Sequence, residues 1–233
     1  MPRLARRVFA GLPHHIVQRG NRRENVFFSD ADRTTYLDWL RQYCDECRVE
    51  VLAYCLMTNH VHIVAVPAMD DGLEKMLRPL HTRYAMRVNR WRGAKGHVWQ
   101  GRFFSSVLDE SYLWAAIRYV ERNPVRASME SRAERYRWSS AAAHCGFGND
   151  LVLTRDPAWM ETLRSVADWS AWLADFDRPA HLDALRDRTR RSLPCGDAEF
   201  VRRLELQVGM SLAPRPRGRP RKDEDDGVRP LFS

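Results

Sequence analysis

The stretch VEVLAYCLMTNHVHIVAV, residues 49–66, decides the fold. Its first nine residues are rich in β-branched and apolar side chains, Thr58-Asn59 has turn chemistry, and residues 60–66 alternate well enough to be the partner strand. The reading is a β-hairpin. Upstream, residues 30–47 set Tyr36, Leu37, Leu40, Tyr43 and Cys44 at helical spacing behind a cap at Ser29 or Asp30, and residues 14–18 read as a short strand. Downstream, residues 72–91 carry the apolar stripe Leu73, Met76, Leu77, Leu80, Tyr84 and Val88, and residues 98–108 read as a strand. The order β, α, β, β, α, β predicts a ferredoxin-like split βαβ unit in an α+β protein. One more helix, residues 110–123, is expected after it, capped by Asp109 or Ser111 and stopped by Pro124.

Beyond about residue 149 the character changes. Three amphipathic stretches, about 157–175, 179–191 and 197–208, lead into PRPRGRPRKDEDDG, which is too rich in proline, glycine and charge to bury a core. The expected division is an α+β domain over 1–150, a helical extension over 151–212 and a basic tail over 213–233.

The 38 Lys+Arg against 30 Asp+Glu give a net charge of +8, which points to a polyanionic partner without separating nucleic acid from an acidic membrane surface. No apolar run is long enough to span a bilayer, and the N-terminal residues lack the apolar region of a signal peptide. The five scattered cysteines (Cys44, Cys47, Cys55, Cys145, Cys195) suit a reducing compartment, so a cytoplasmic protein with no membrane partner is expected. Cys44 and Cys47 lack a second metal-binding pair at suitable spacing and read as helix packing residues. The sequence specifies no oligomeric state.

His60-Val61-His62 places two imidazoles at i and i+2 on one strand, so both project from the same face. Neutral imidazole binds divalent metals, and two ligands leave positions open for phosphate oxygens. Taken alone, the tripeptide suits two histidines satisfied by neighbours on a half-exposed strand better than a metal site. Tyr119 and Asn123 lie four apart on the predicted helix over 110–123, hence on one face, where an amide oxygen could complete a hard-metal site beside a phenol. The plain alternative is a partly buried aromatic and a polar residue at a helix end.

Together these motifs are recognisable. MTNHVHIV, then AIRYVERNPVRA, preceded by HHIVQRGNRRENVFF and VWQGRFFSS and followed by YRWSSAAAH, resemble the REP-associated tyrosine transposases of the single-tyrosine HUH superfamily over nearly all of residues 8–148. The resemblance implies a ferredoxin-like domain that cleaves and rejoins single-stranded DNA near hairpins through a covalent 5′-phosphotyrosine. Position by position it makes His60 and His62 the metal ligands, Tyr119 the nucleophile and Asn123 the third ligand, with Mg²⁺ or Mn²⁺ as the ion. Tyr112, two turns earlier, is the rival nucleophile but lacks an asparagine four residues on.

Arginines gripping phosphates beside aromatics that stack on unpaired bases are how single strands are held. Arg19, Arg22, Arg23, Gln100 and Arg102 are the expected DNA contacts, while most of Phe27, Phe28, Trp91, Trp99, Phe103 and Phe104 are expected in the core. In the tail, Arg217, Arg219 and Arg221 sit in an RGRP setting like that of an AT-hook, which lays arginines along a narrow A·T-rich minor groove; a generic basic tail is the alternative. A nucleoid-associated DNA partner follows. Two other functions stay open at this point: a DNA-binding regulator without chemistry, and a metal-dependent nuclease in which water attacks.

Overall fold

The hairpin forms where the sequence places it, with β2 (Val49–Met57) antiparallel to β3 (His60–Pro67) and Met57 opposite His60. In the computed structural model, which describes residues 7–175 and 179–213, β1 (His14–Arg19) pairs antiparallel with the other side of β3, and β4 (Phe104–Val107) with the far side of β1. The sheet order β2-β3-β1-β4 is the ferredoxin-like one.

Helix α1 (Asp30–Cys47) starts at a capping box, in which the Ser29 hydroxyl accepts from the Asp32 amide and the Asp32 carboxylate accepts from the Ser29 amide. It packs against α2 (Gly72–Arg92), and Tyr36, Leu40, Leu73, Met76, Leu77 and Leu80 are fully buried in the core between these helices and the sheet. Each such side chain contributes about 1.5–3 kcal/mol of transfer free energy. Cys44 is buried with its Sγ 3.3 Å from Met76 Sδ, the packing role expected of it.

Both sheet edges are covered. Along β2, the Leu56 amide donates to Trp138 O at 2.8 Å, Ser140 N to Tyr54 O at 3.0 Å and Thr154 N to Val51 O at 2.9 Å, so residues 138–154 occupy the edge groups that would otherwise recruit another strand. That burial from both sides explains why every β2 residue except Glu50 is buried. Along β4, Cys195 N donates to Val107 O at 2.8 Å and the Ser106 hydroxyl to Leu193 O at 2.6 Å. The helical extension therefore folds back onto the sheet.

Three elements differ from the sequence reading. The last strand is four residues, not residues 98–108: Gly20 and Trp99 form an isolated bridge, the Trp99 indole N–H donates into the core to His81 O at 3.0 Å, and Gly101 O takes its hydrogen bond from the Gln18 side chain rather than from a strand. Helix α3 (Glu110–Glu121), capped by Asp109, stops before Asn123, which begins the one-turn α4 (Asn123–Arg126) with Pro124 in its first turn. Proline lacks an N–H and suits a helix start, so it opens a new turn here as well as ending the old one. The stretch 157–175 divides into α6 (Pro157–Leu163) and α7 (Trp169–Ala174), capped by Asp156 and Asp168; the one-turn α5 (Ala141–His144) precedes them, and α8 (Pro179–Arg191) and α9 (Ala198–Val208) follow.

Glu121, at the end of α3, is fully buried, and its carboxylate accepts from Ser140 Oγ at 2.5 Å and Trp169 Nε1 at 2.8 Å and meets His144 Nδ1 at 2.6 Å. One side chain thus ties α3, α5 and α7 together. Glu121→Leu strands several buried polar groups at about 1–3 kcal/mol each. A destabilisation of roughly 3 kcal/mol or more is expected, read as a lower urea midpoint; an unchanged midpoint would show that the network contributes nothing net.

Candidate active site and nucleic-acid interface

Antiparallel pairing of β1 with β3 sets Val17 opposite His62 and Arg19 opposite His60, so His15, Val17, Arg19, His60 and His62 share one sheet face. His15 stands diagonal to His62. Their rings are coplanar within 1°, with centroids 5.2 Å apart and His15 Nε2 3.0 Å from His62 Nδ1, the geometry of an in-plane hydrogen bond between ring edges. His15 Nδ1 in turn meets the Thr189 hydroxyl of α8 at 2.8 Å.

His60 has its own orienter. The Asn59 amide donates from Nδ2 to Arg23 O at 2.8 Å, which turns Oδ1 toward His60 Nδ1 at 2.6 Å. An oxygen there can only accept, so His60 carries its proton on Nδ1 and has a lone pair on Nε2. The turn is locked by Gly20, whose amide donates to Asn59 O at 2.8 Å and where a Cβ would lie 2.3 Å from Glu24 O. Burial, with Arg19 second, pulls His60 down to about 4 and burial pulls His15 to about 3; burial, with His60 second, holds His62 well below the usual histidine range. All three are neutral at physiological pH.

Helix α3 delivers Tyr119 onto this face. Its ring stands edge-on to both imidazoles, 5.4 Å from His62 and 5.7 Å from His15 between centroids, and the residue is 8% exposed. The Arg126 guanidinium lies 4.2 Å over the ring and donates to the Tyr119 carbonyl. Asn123 is buried, and its Nδ2 donates to the same carbonyl at 3.0 Å across the helix break. A cavity of about 530 Å³ opens here, lined by His15, His62 and Tyr119 together with Arg19, Arg23 and Gln100.

Of the expected DNA contacts, Arg19, Arg23 and Gln100 reach the cavity, whereas Arg22 and Arg102 are exposed outside its lining. Arg22 and Arg23 both sit in the left-handed region (φ 51° and 62°), which is uncommon for arginine and fixes the loop's direction beside the cavity. Arg217, Arg219 and Arg221 lie outside the described residues. Among the aromatics, Phe27, Trp99 and Phe103 are core, but Trp91 is 68% exposed and pairs with the exposed Phe28 at 5.0 Å, and Phe104 is exposed at the cavity. Tyr112 packs against His181 at 5.3 Å and does not line the cavity. The sequence reading does not find His15, Arg126, Arg186 or Thr189. The second histidine of HHIVQ has the parity that puts it on the His62 face, but that signal needs the β1–β3 register to be read.

Among the described residues no group of three or more His, Cys, Asp or Glu forms a metal cluster. The two strand histidines nevertheless form a donor pair suited to a divalent ion: each has Nδ1 engaged by an orienting partner, the arrangement in which Nε2 ligates. Two protein imidazoles and an open remainder describe a catalytic ion better than a closed structural one.

The four-stranded split βαβ sheet thus brings a histidine pair and a helix-borne tyrosine to one basic cavity. Residues 9–123 match the family model "Transposase IS200 like". Among solved structures, a REP-associated tyrosine transposase bound to a REP hairpin is similar in fold, with a TM-score of 0.53 at 17% identity over 67% of this chain and 93% of that one. A Deinococcus radiodurans R1 protein assigned as a transposase matches at a TM-score of 0.36 and 16% identity, over 56% of this chain and 94% of that one. No curated protein sequence matches the chain. No helix among the described residues is long and apolar enough to cross a membrane.

Proposed function

We propose that the chain cuts and rejoins single-stranded DNA near hairpins by transferring a 5′-phosphate to Tyr119. The observation that carries this reading is Tyr119 standing edge-on to His62 inside a cavity lined by Arg19, Arg23 and Gln100. Hairpin DNA is taken as substrate because the fold relative is a hairpin-bound transposase. The Tyr119 phenol oxygen forms a bond to phosphorus, the P–O3′ bond breaks, the phenol proton passes to solvent and the 3′-oxygen takes one up. One phosphodiester replaces another, so a 3′-hydroxyl can reverse the step. Arg19 and Arg23 hold the flanking phosphates, and Arg126 over the ring fixes the approach of the phenol. His60 and His62, with Asn123 as third ligand, would hold Mg²⁺ or Mn²⁺, which supplies positive charge for the scissile phosphate oxygens. The test is end-labelled hairpin DNA with Mn²⁺ on a denaturing gel: a covalent complex is expected, and cut DNA without one would mean that water attacks.

For residues 214–233 the proposed role is duplex binding through Arg217, Arg219 and Arg221. Their removal should lower affinity, most strongly on A·T-rich duplex, and flatten its salt dependence by a slope of about 0.9 for each phosphate no longer neutralised. Single-turnover cleavage at saturating hairpin should be unchanged. Equal affinity of full-length and truncated chains on every DNA would refute the role.

A further inference from the structure

Helix α8 lies outside the family-matched segment, yet Asp183, Arg186, Asp187, Thr189 and Arg190 form a wall of the cavity. The helix is pinned rather than loosely apposed: Leu185 is fully buried, and just beyond its end Leu193 and Cys195 hydrogen-bond β4. Arg186 and Thr189, three apart, share a helix face. That face meets the two groups that matter most. The Arg186 guanidinium stands beside the Tyr119 side chain on the cavity wall, its carbon 5.4 Å from the ring centroid. Thr189, 3% exposed, accepts at the far end of a line that runs to His15 and from His15 to His62.

We propose that α8 is a working part of the active site, in which Arg186 holds the Tyr119 phenol oxygen and Thr189, through His15, fixes the tautomer and orientation of His62. The proposal rests on Tyr119 as nucleophile and His62 as metal ligand. The line has one consistent polarity. With a lone pair on His62 Nε2 for a cation, Nδ1–H donates to His15 Nε2, and His15 Nδ1–H donates to the Thr189 hydroxyl. Thr189 and His15 are therefore positioning residues. Arg186, beside the Tyr119 ring, is the cation placed to meet the reacting atom: its charge favours the phenol oxygen as it gives up its proton and attacks phosphorus, and in the reverse step it receives the oxygen again as the P–O bond breaks.

The experiment uses the full chain with hairpin DNA and Mn²⁺. Arg186→Ala should slow single-turnover adduct formation about a hundredfold, Arg186→Lys should recover part of the rate, and guanidinium added to Arg186→Ala should recover part as well. A merely structural role is not rescued by a free cation. Thr189→Val should weaken Mn²⁺ binding about tenfold, read without DNA from the magnetic resonance signal of the free ion, with Thr189→Ser restoring it. Thermal melts identify a variant that fails to fold, in which case the Lys and Ser variants decide. If the wild type forms the Tyr119 adduct and both Arg186→Ala and Thr189→Val match it in rate and Mn²⁺ affinity, the role of α8 is overturned while the nucleophile stands. If the wild type forms no adduct, the reading of Tyr119 fails, and Arg186's role fails with it.

Discussion

Tyr119→Phe is expected to form no covalent protein–DNA complex, a loss of at least about a thousandfold of the kind that follows removal of a covalent nucleophile. The substitution is a clean one. Phenylalanine keeps the edge-on packing against His15 and His62 and the Arg126 contact over the ring, so only the phenol oxygen is removed. Folding stability should change by no more than about 1 kcal/mol, one hydrogen bond's net worth. Tyr112→Phe should form the complex at the wild-type rate, because Tyr112 packs on His181 and takes no part in the cavity lining. Mass spectrometry of the trapped complex checks both statements at once. A nucleotide on Tyr112, or cleavage by Tyr119→Phe at the wild-type rate, would remove Tyr119 from the mechanism.

The sheet and its first two helices are legible in the sequence because local signals agree with one another. The hairpin has β-branched strands around Thr58-Asn59, α1 has Ser29 and Asp32 at capping-box spacing, and the stripe from Leu73 to Val88 is the buried face of α2. Where local signals compete, sequence and structure part. Residues 98–108 have the composition of a strand, but tertiary demands on the Trp99 indole and on Gly101 O leave only Phe104–Val107 in the ladder. Pro124 reads as a stop and is also a start, which puts Asn123 in a different helix from Tyr119 while its amide still reaches the Tyr119 carbonyl. In 157–175, Asp156 and Asp168 each cap a helix, so one amphipathic stretch becomes two.

The site is legible where its residues share an element. His60 and His62 are on one strand, and the alternation of a strand alone puts them on one face. His15 is invisible as a partner because its meeting with His62 depends on the register between strands that are distant in sequence. Arg186 and Thr189 are invisible for a stronger reason. Their helix carries polar and basic residues along most of its length, the signature of a solvated surface helix, and nothing local says that Leu185 and the Leu193–Cys195 segment anchor it to the core and to β4. Burial of Thr189 is a tertiary fact with no local trace.

The two strand histidines should separate in what their loss does to stability while agreeing in what it does to chemistry. His60→Ala and His62→Ala are each expected to lower metal-dependent cleavage more than about a hundredfold, beyond the 10–100-fold typical when only the partner behind a ligand is lost. Hairpin binding should largely persist in both, since Arg19, Arg23 and Gln100 lie on the cavity independently of either imidazole. Stability is another matter. His62 is 3% exposed, and truncating it leaves His15 Nε2 without a donor in the core, at about 1–3 kcal/mol. His60 is only half-buried and leans on the half-buried Asn59 turn, so water can replace what its removal takes away. Urea melts of the two variants should therefore diverge while their single-turnover rates fall together. Wild-type cleavage by the double variant with Mn²⁺ present would refute the metal assignment. A fall in rate that tracked the loss of stability, large for His62→Ala and slight for His60→Ala, would make His62 a core residue and leave the pair no joint chemical role.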